Sequence, residues 1–117
     1  MKIIIVDDES IVLESCRRIL ESEGYEVASA DSVDKALMVI DPENTALLLI
    51  DIKMPFRDGI YLVNELKKQG YTIPIILMSG LNTPETIAES QKIGACQFLP
   101  KPFTPDELLK AVRQVIT

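Results

Sequence analysis

Asp7 and Asp8, Asp31, Asp51, Ser79 and Lys101 each stand at or just past the C-terminal end of a short apolar, β-prone run. If these five runs are parallel strands of one sheet, most of the groups meet along a single edge, because a parallel α/β sheet presents its chemistry beyond the carboxyl ends of its strands. Carboxylates, a hydroxyl and an ammonium gathered there are the equipment for holding a divalent cation and a phosphoryl group. Asp7, Asp8 and Asp51 form the centre of the set. Three carboxylates brought close together repel one another and raise the pKa of at least one member, and a hard cation relieves that repulsion. Mg²⁺ takes oxygen ligands in octahedral geometry, keeps several waters, and uses one or two carboxylates plus a substrate phosphate. The plainer reading of Asp7-Asp8-Glu9 is that acids favour a helix N-terminus, a role for which one acid would suffice.

Asp51 follows the most hydrophobic run directly and is succeeded by a turning segment, Asp51-Ile-Lys-Met-Pro-Phe-Arg-Asp-Gly59. A carboxylate in that position can attack phosphorus and form an acyl phosphate; otherwise it caps a loop. Ser79 can donate to a phosphoryl oxygen and Lys101 can neutralise another, although a serine before glycine is commonly a turn residue. The run Leu99-Pro-Lys-Pro-Phe103 is more specific. Two prolines bracketing a lysine fix the backbone, and a cis Lys101-Pro102 bond would aim the ammonium inward.

The elements that must position these groups are legible from periodicity. Lys2 to Asp7 is short, apolar and without alternation, as a strand buried on both faces is. Ile11, Val12, Cys16, Ile19 and Leu20 recur at helical spacing up to Gly24, a left-handed C-cap. Tyr25 to Ala30 has the mixed pattern of an edge strand. Val33, Ala36, Leu37 and Ile40 make one helical stripe, ended by Asp41-Pro42. Ala46 to Ile50 is the best central strand. A helix over Gly59 to Gln69 turns Ile60, Val63 and Leu66 inward and exits through Gly70. Ile73 to Met78 is the fourth strand, with Pro74 tolerated near its start. Thr83-Pro84-Glu85 opens a fourth helix whose stripe of Ile87, Ala88 and Gln91 is thin, so this helix is expected to be the most exposed and the loosest. Cys96 to Leu99 is the last strand. Thr104-Pro105-Asp106-Glu107 starts the fifth helix with a capping box, and Leu108, Leu109, Val112, Val115 and Ile116 form its buried face.

Strict βα alternation with helical crossovers implies a parallel, doubly wound α/β sheet with helices on both faces, a three-layer (βα)5 arrangement. Five strands in this pattern fit the flavodoxin-like order 2-1-3-4-5. That order sets strands one and three side by side, and with them Asp7, Asp8 and Asp51.

Size and composition bound the function. A chain of 117 residues, 47% apolar and 26% charged, suits one domain over residues 1–117 and excludes long disorder. Ile3 to Val6 is too short for the core of a signal peptide, and nothing spans a membrane, so a cytoplasmic address is expected. Cys16 and Cys96 form no metal or disulfide framework and read as small buried apolar residues. A net charge of −6 argues against direct nucleic-acid binding, and Arg17-Arg18 and Lys67-Lys68 read as solvated helix faces. The chain has 0 histidines, which removes Ser/His and Cys/His nucleophiles and the usual zinc sites. If phosphate arrives from a histidine, that histidine belongs to a partner.

Taken together, Asp7-Asp8 after strand one, Asp51 in an Asp-x-x-Met-Pro-x-x-Asp-Gly context, Ser79 after strand four, and Gly94-Ala95 leading to Phe98 and Lys101-Pro102-Phe103 resemble the response-regulator receiver domain of two-component signalling over essentially the whole chain. The resemblance implies that Asp51 is the phosphoacceptor. It implies Mg²⁺, or Mn²⁺ in its place, bound by Asp8, Asp51 and the backbone carbonyl of Lys53, with Asp7 acting through water. Lys101 would contact the phosphoryl group, Ser79 would move toward it, and the ring of Phe98 would turn into the space vacated; the plain alternative for Phe98 is core packing. The implied partners are a sensor histidine kinase or phosphotransfer protein, and an output domain or effector at the face of helix four, strand five and helix five. Homodimerisation on phosphorylation also belongs to the family's repertoire, but Cys96-Gln97 stands where one DNA-binding subfamily carries paired acids used for it. Ser79 keeps the hydroxyl of the commoner threonine without its methyl, Gly80 replaces a usual alanine, and Phe98 lacks a tyrosine hydroxyl.

Three other readings compete with this switch, which is not a turnover enzyme. An aspartate-nucleophile phosphatase expects a second Asp two residues after the nucleophile, where this chain has Lys53. An FMN-binding flavodoxin expects a first loop rich in Ser, Thr and Gly, and Asp7-Asp8-Glu9 would repel its phosphate. A docking module that keeps the fold and never reacts is the third.

Overall fold

The run Lys2–Val6 is buried from its second residue onward, and the alternation of a strand sends its side chains to two different places. Ile3 and Ile5 enter one apolar cluster, Ile4 and Val6 another. The computed structural model, which describes residues 1–116, therefore has a sheet with a core on each face. The elements alternate as β1 (Lys2–Val6), α1 (Ser10–Ser22), β2 (Glu26–Ala30), α2 (Val33–Val39), β3 (Thr45–Asp51), α3 (Gly59–Lys68), β4 (Ile75–Ser79), α4 (Pro84–Lys92), β5 (Gln97–Pro100) and α5 (Pro105–Val115). The strands pair in the order β2-β1-β3-β4-β5, every pair parallel. This is the doubly wound flavodoxin-like arrangement expected from the alternation.

Cys16 and Leu20 of α1 pack with Leu108, Leu109 and Val112 of α5 on the face that carries Ile3, Leu47, Leu49 and Ile76. Val33 and Ala36 of α2 and Leu62, Val63 and Leu66 of α3 cover the opposite face, over Ile4, Leu48, Ile50 and Leu77. Burying one such side chain stabilises the fold by about 1.5–3 kcal/mol. Helix ends follow their sequence signals. Thr104 and Glu107 form the expected capping box, Thr83 caps α4, and α1 closes on Gly24, whose φ of 88° only glycine adopts without strain.

Several local expectations are corrected. Ile11 is 79% exposed, because it lies on the side of α1 turned away from the buried Cys16 and Leu20, while Val12, Leu13 and Ile19 pack against the same core. Cys96 is exposed rather than buried, whereas Cys16 is buried as expected. In α4 the buried position is Ser90, with Ile87 half-buried, and Ala88 and Gln91 face solvent. Burying one residue in this way agrees with α4 being the most exposed helix. The inward face of α3 includes Leu62 as well as Val63 and Leu66. β4 starts at Ile75, just past Pro74, whose carbonyl accepts from Leu48 N–H at 3.0 Å.

Candidate functional site

The β1–β3 register pairs Val6 with Ile50, so Asp7 and Asp51 leave adjacent strands at the same level. Asp7, Asp8 and Asp51 each bring a carboxylate oxygen within 4.8 Å of the others. Asp7 and Asp51 are buried and Asp8 is exposed. These acids make no side-chain cap on α1. The N-cap of α1 is Glu9, whose side chain makes no cap hydrogen bond, and the first turn contains no acid. Instead the Glu9 N–H donates to Asp7 Oδ1 at 2.9 Å, which holds the Asp7 carboxylate beneath the loop.

Lys101 arrives from the far side of the sheet. Its N–H donates to the Ser79 carbonyl at 2.9 Å, the Lys101-Pro102 bond is cis, and its ammonium lies 2.6 Å from Asp7 Oδ2, 3.5 Å from Asp51 Oδ1 and 3.5 Å from Glu9 Oε1. Glu9 is a neighbour that sequence reasoning assigned only to capping, and its place in the Asp7-Asp8-Glu9 run was the available signal. Asp31 does not join the site; it pairs with Lys35 at 3.0 Å on the surface.

Burial pushes the Asp51 carboxyl up to about 6, and the neighbouring Asp7 charge adds to the rise, while Lys101 and a hydrogen bond from the Lys53 backbone pull the other way. Burial works against the charge of Lys101, but its hydrogen bond to Asp7 and the fields of Asp51, Asp7 and Glu9 prevail and hold its pKa above the ordinary lysine value. Asp51 is thus a buried carboxylate whose negative charge is only partly compensated. Oxygen-only donors around such a charge suit a hard divalent cation such as Mg²⁺.

The loop after Asp51 is shaped by α3. Asp58 accepts from Tyr61 N–H at 2.9 Å and caps the helix. Gly59 sits where a Cβ would come within 2.4 Å of the Asp51 carbonyl oxygen, so the Asp-Gly pair lets the start of α3 close onto the backbone of Asp51. Ser79, fully buried, accepts from Leu81 N–H at 3.0 Å through its hydroxyl. Phe98 is half-buried beside the α2–α3 core, opposite Leu77 on β4. A cavity of about 600 Å³ opens over the site, with Asp51, Lys53 and Lys101 on its polar side and Ile11, Val12 and Phe103 on its apolar side.

Residues 3–113 match the family model described as the response regulator receiver domain. The chain is 38% identical over 119 residues to a probable transcriptional regulator, ycf27, of Pyropia yezoensis, covering 98% of this chain and 47% of that protein. It is 34% identical over 116 residues to the response regulator MprA of Mycobacterium avium (strain 104), covering 99% of this chain and 51% of that protein. The chain therefore spans about half the length of these relatives. The crystal structure of a CheY-like response regulator receiver domain protein from Methanospirillum hungatei JF-1 superposes with a TM-score of 0.87 at 34% identity, covering 97% of this chain and 90% of that one. Among the described residues, no helix is long and apolar enough to cross a membrane.

Proposed function

This chain belongs to the response regulator receiver domain family, and on that premise we propose that it is a phosphoacceptor switch whose Asp51 takes a phosphoryl group from a phosphohistidine on a sensor histidine kinase or phosphotransfer protein. An Asp51 carboxylate oxygen attacks phosphorus, the P–N bond breaks, and its electron pair returns to the donor imidazole. The chain supplies position and charge rather than turnover. Asp8, Asp51 and the Lys53 carbonyl would hold Mg²⁺, or Mn²⁺, with Asp7 acting through water; the ion supplies charge neutralisation for the incoming phosphoryl oxygens. Lys101, already 3.5 Å from Asp51, offers its ammonium to the phosphoryl group, and Ser79 offers its hydroxyl once it leaves the Leu81 N–H.

The output face in this reading is α4, β5 and α5, with Ser79 and Phe98 linking Asp51 to it. An output domain or effector protein would read that face in the cytoplasm. With a net charge of −6, this domain is not suited to direct DNA contact, which would need another domain. The observation that carries the proposal is the meeting of three carboxylates and one buried-stem lysine at a single sheet edge. Its test is intact mass measurement after incubation with acetyl phosphate, with Mg²⁺ or with chelator. The native chain gains one phosphoryl group only with Mg²⁺, and Asp51→Asn gains none. Equal labelling in chelator would remove the metal from the account.

A further inference from the structure

α4 is joined to the rest of the fold by little. Ser90 is its one buried residue, and the Ser90 hydroxyl turns back to donate to the Ile87 carbonyl of the same helix at 2.7 Å. Beneath its C-terminal turn, between the end of α3 and the start of β5, lies a cavity of about 260 Å³ walled by Val63, Leu66, Tyr71, Ile75 and Ile93. Where α4 ends, Ile93 and Ala95 pack against the core but are only partly buried. Lys67 of α3 bridges this gap, its ammonium donating to the Ile93 carbonyl. A Cβ placed on Gly94 would stand 3.5 Å from Lys67 Nζ, so the ammonium is seated against the turn itself. A C-terminal carbonyl of a helix lacks an intrahelical partner, and positive charge is favoured there. Among the described residues, no other side-chain hydrogen bond or ion pair ties α4 or this turn to another element.

We propose that Lys67 is a latch: by holding the C-terminal turn of α4 to α3, it favours the position of α4 seen here over a displaced one. The chain runs from Ser79 through α4 to Phe98, so displacement of α4 is transmitted at both ends. This second step rests on the phosphoacceptor reading. Coupling between two sites is reciprocal. If a phosphoryl group on Asp51 favours displaced α4, then releasing the latch makes Asp51 easier to phosphorylate.

The test compares Lys67→Met, which keeps the apolar stem and removes the donor, with Lys67→Arg, which keeps charge and donors. Lys67 is exposed, so neither variant threatens folding. Amide hydrogen exchange is read in the unphosphorylated chain, followed by the rate of Asp51 labelling with acetyl phosphate and Mg²⁺. Lys67→Met is expected to speed exchange over residues 86–93 by about 3- to 10-fold, the range set by losing one hydrogen bond of this kind, while α1 and α5 are unchanged and Lys67→Arg restores protection. Labelling of Lys67→Met is expected to be faster than native. Native exchange in Lys67→Met, or an arginine variant as unprotected as the methionine one, overturns the latch. Faster exchange with native labelling overturns its coupling to Asp51. Absence of labelling in every variant sinks the phosphoacceptor reading instead, and the exchange data then still decide whether Lys67 holds α4.

Discussion

The ammonium of Lys101 is bonded to Asp7 at 2.6 Å and stands off from Asp51 at 3.5 Å. The lysine is therefore anchored on one buried carboxylate while it remains within reach of the other. An ammonium committed fully to Asp51 would hinder attack by that carboxylate. Held by Asp7, it compensates the cluster and leaves an Asp51 oxygen available.

Removing that ammonium leaves two buried acids without a counter-charge. Lys101→Met is expected to destabilise the fold by about 3 kcal/mol, the lower end of what breaking a buried pair costs, since the lysine side chain keeps 14% exposure. It also removes a lowering influence on Asp51, so the Asp51 carboxyl moves above its native value of about 6. Urea denaturation measures the first effect and carboxyl NMR titration the second; an Asp51 titration unchanged in the variant would contradict the geometry.

Asp51→Asn is expected to stabilise the metal-free chain at pH 7.5. The folded-state pKa of Asp51, about 6, lies above the value near 3.9 expected when unfolded, so the folded form holds the proton more tightly. The resulting stability is complete below pH ~4 and is lost as pH rises through ~6. The asparagine variant escapes that loss. Its advantage is about 1–3 kcal/mol at pH 7.5 and fades toward pH 4. Denaturation at the two pH values tests this, and an advantage that grew on acidification would have the wrong sign.

Gly59→Ala drives a methyl toward the Asp51 carbonyl oxygen, 2.4 Å away, and toward Ile50 Cγ2, 2.9 Å away. The first obstacle is backbone and cannot swing aside. A loss of about 1–3 kcal/mol is expected from overpacking, with slower labelling of Asp51 because its own backbone must shift. A native melting temperature in this variant would show that α3 does not close on Asp51 as described.

Phe56 holds a φ of 67° and its side chain is fully exposed. A bulky residue gains nothing from that left-handed conformation, which costs L-residues about 1–2 kcal/mol. Asparagine tolerates it. Phe56→Asn is therefore expected to raise the thermal midpoint, as calorimetry would show, with acetyl phosphate labelling unchanged. A lowered midpoint would mean that the ring is covered.

The sheet order and the gathering of the site were both readable because each rests on strands whose apolar runs end in chemistry. KIIIV followed by Asp7, and TALLLI followed by Asp51, carry burial and reactivity in one string. What escaped lies where side chains bury or expose themselves for reasons other than hydropathy. Ser90 is buried because its hydroxyl is satisfied by its own helix, so its polarity hides its place on the inner face. Ile11 is exposed because it falls on the opposite side of α1 from Cys16 and Leu20. Neither the Asp7–Lys101 bond nor the nearness of Glu9 is visible in one dimension, since 94 and 92 residues separate the partners.

Phosphorylation is expected on the Asp51 carboxylate. Borohydride reduction of the chain after treatment with acetyl phosphate and Mg²⁺, followed by peptide mass mapping, tests it most directly, because reduction converts an aspartyl phosphate to homoserine. Homoserine is expected at position 51 and at no other aspartate. Homoserine at Asp7 or Asp8, or native aspartate at position 51 in a chain that has gained phosphate, would contradict it.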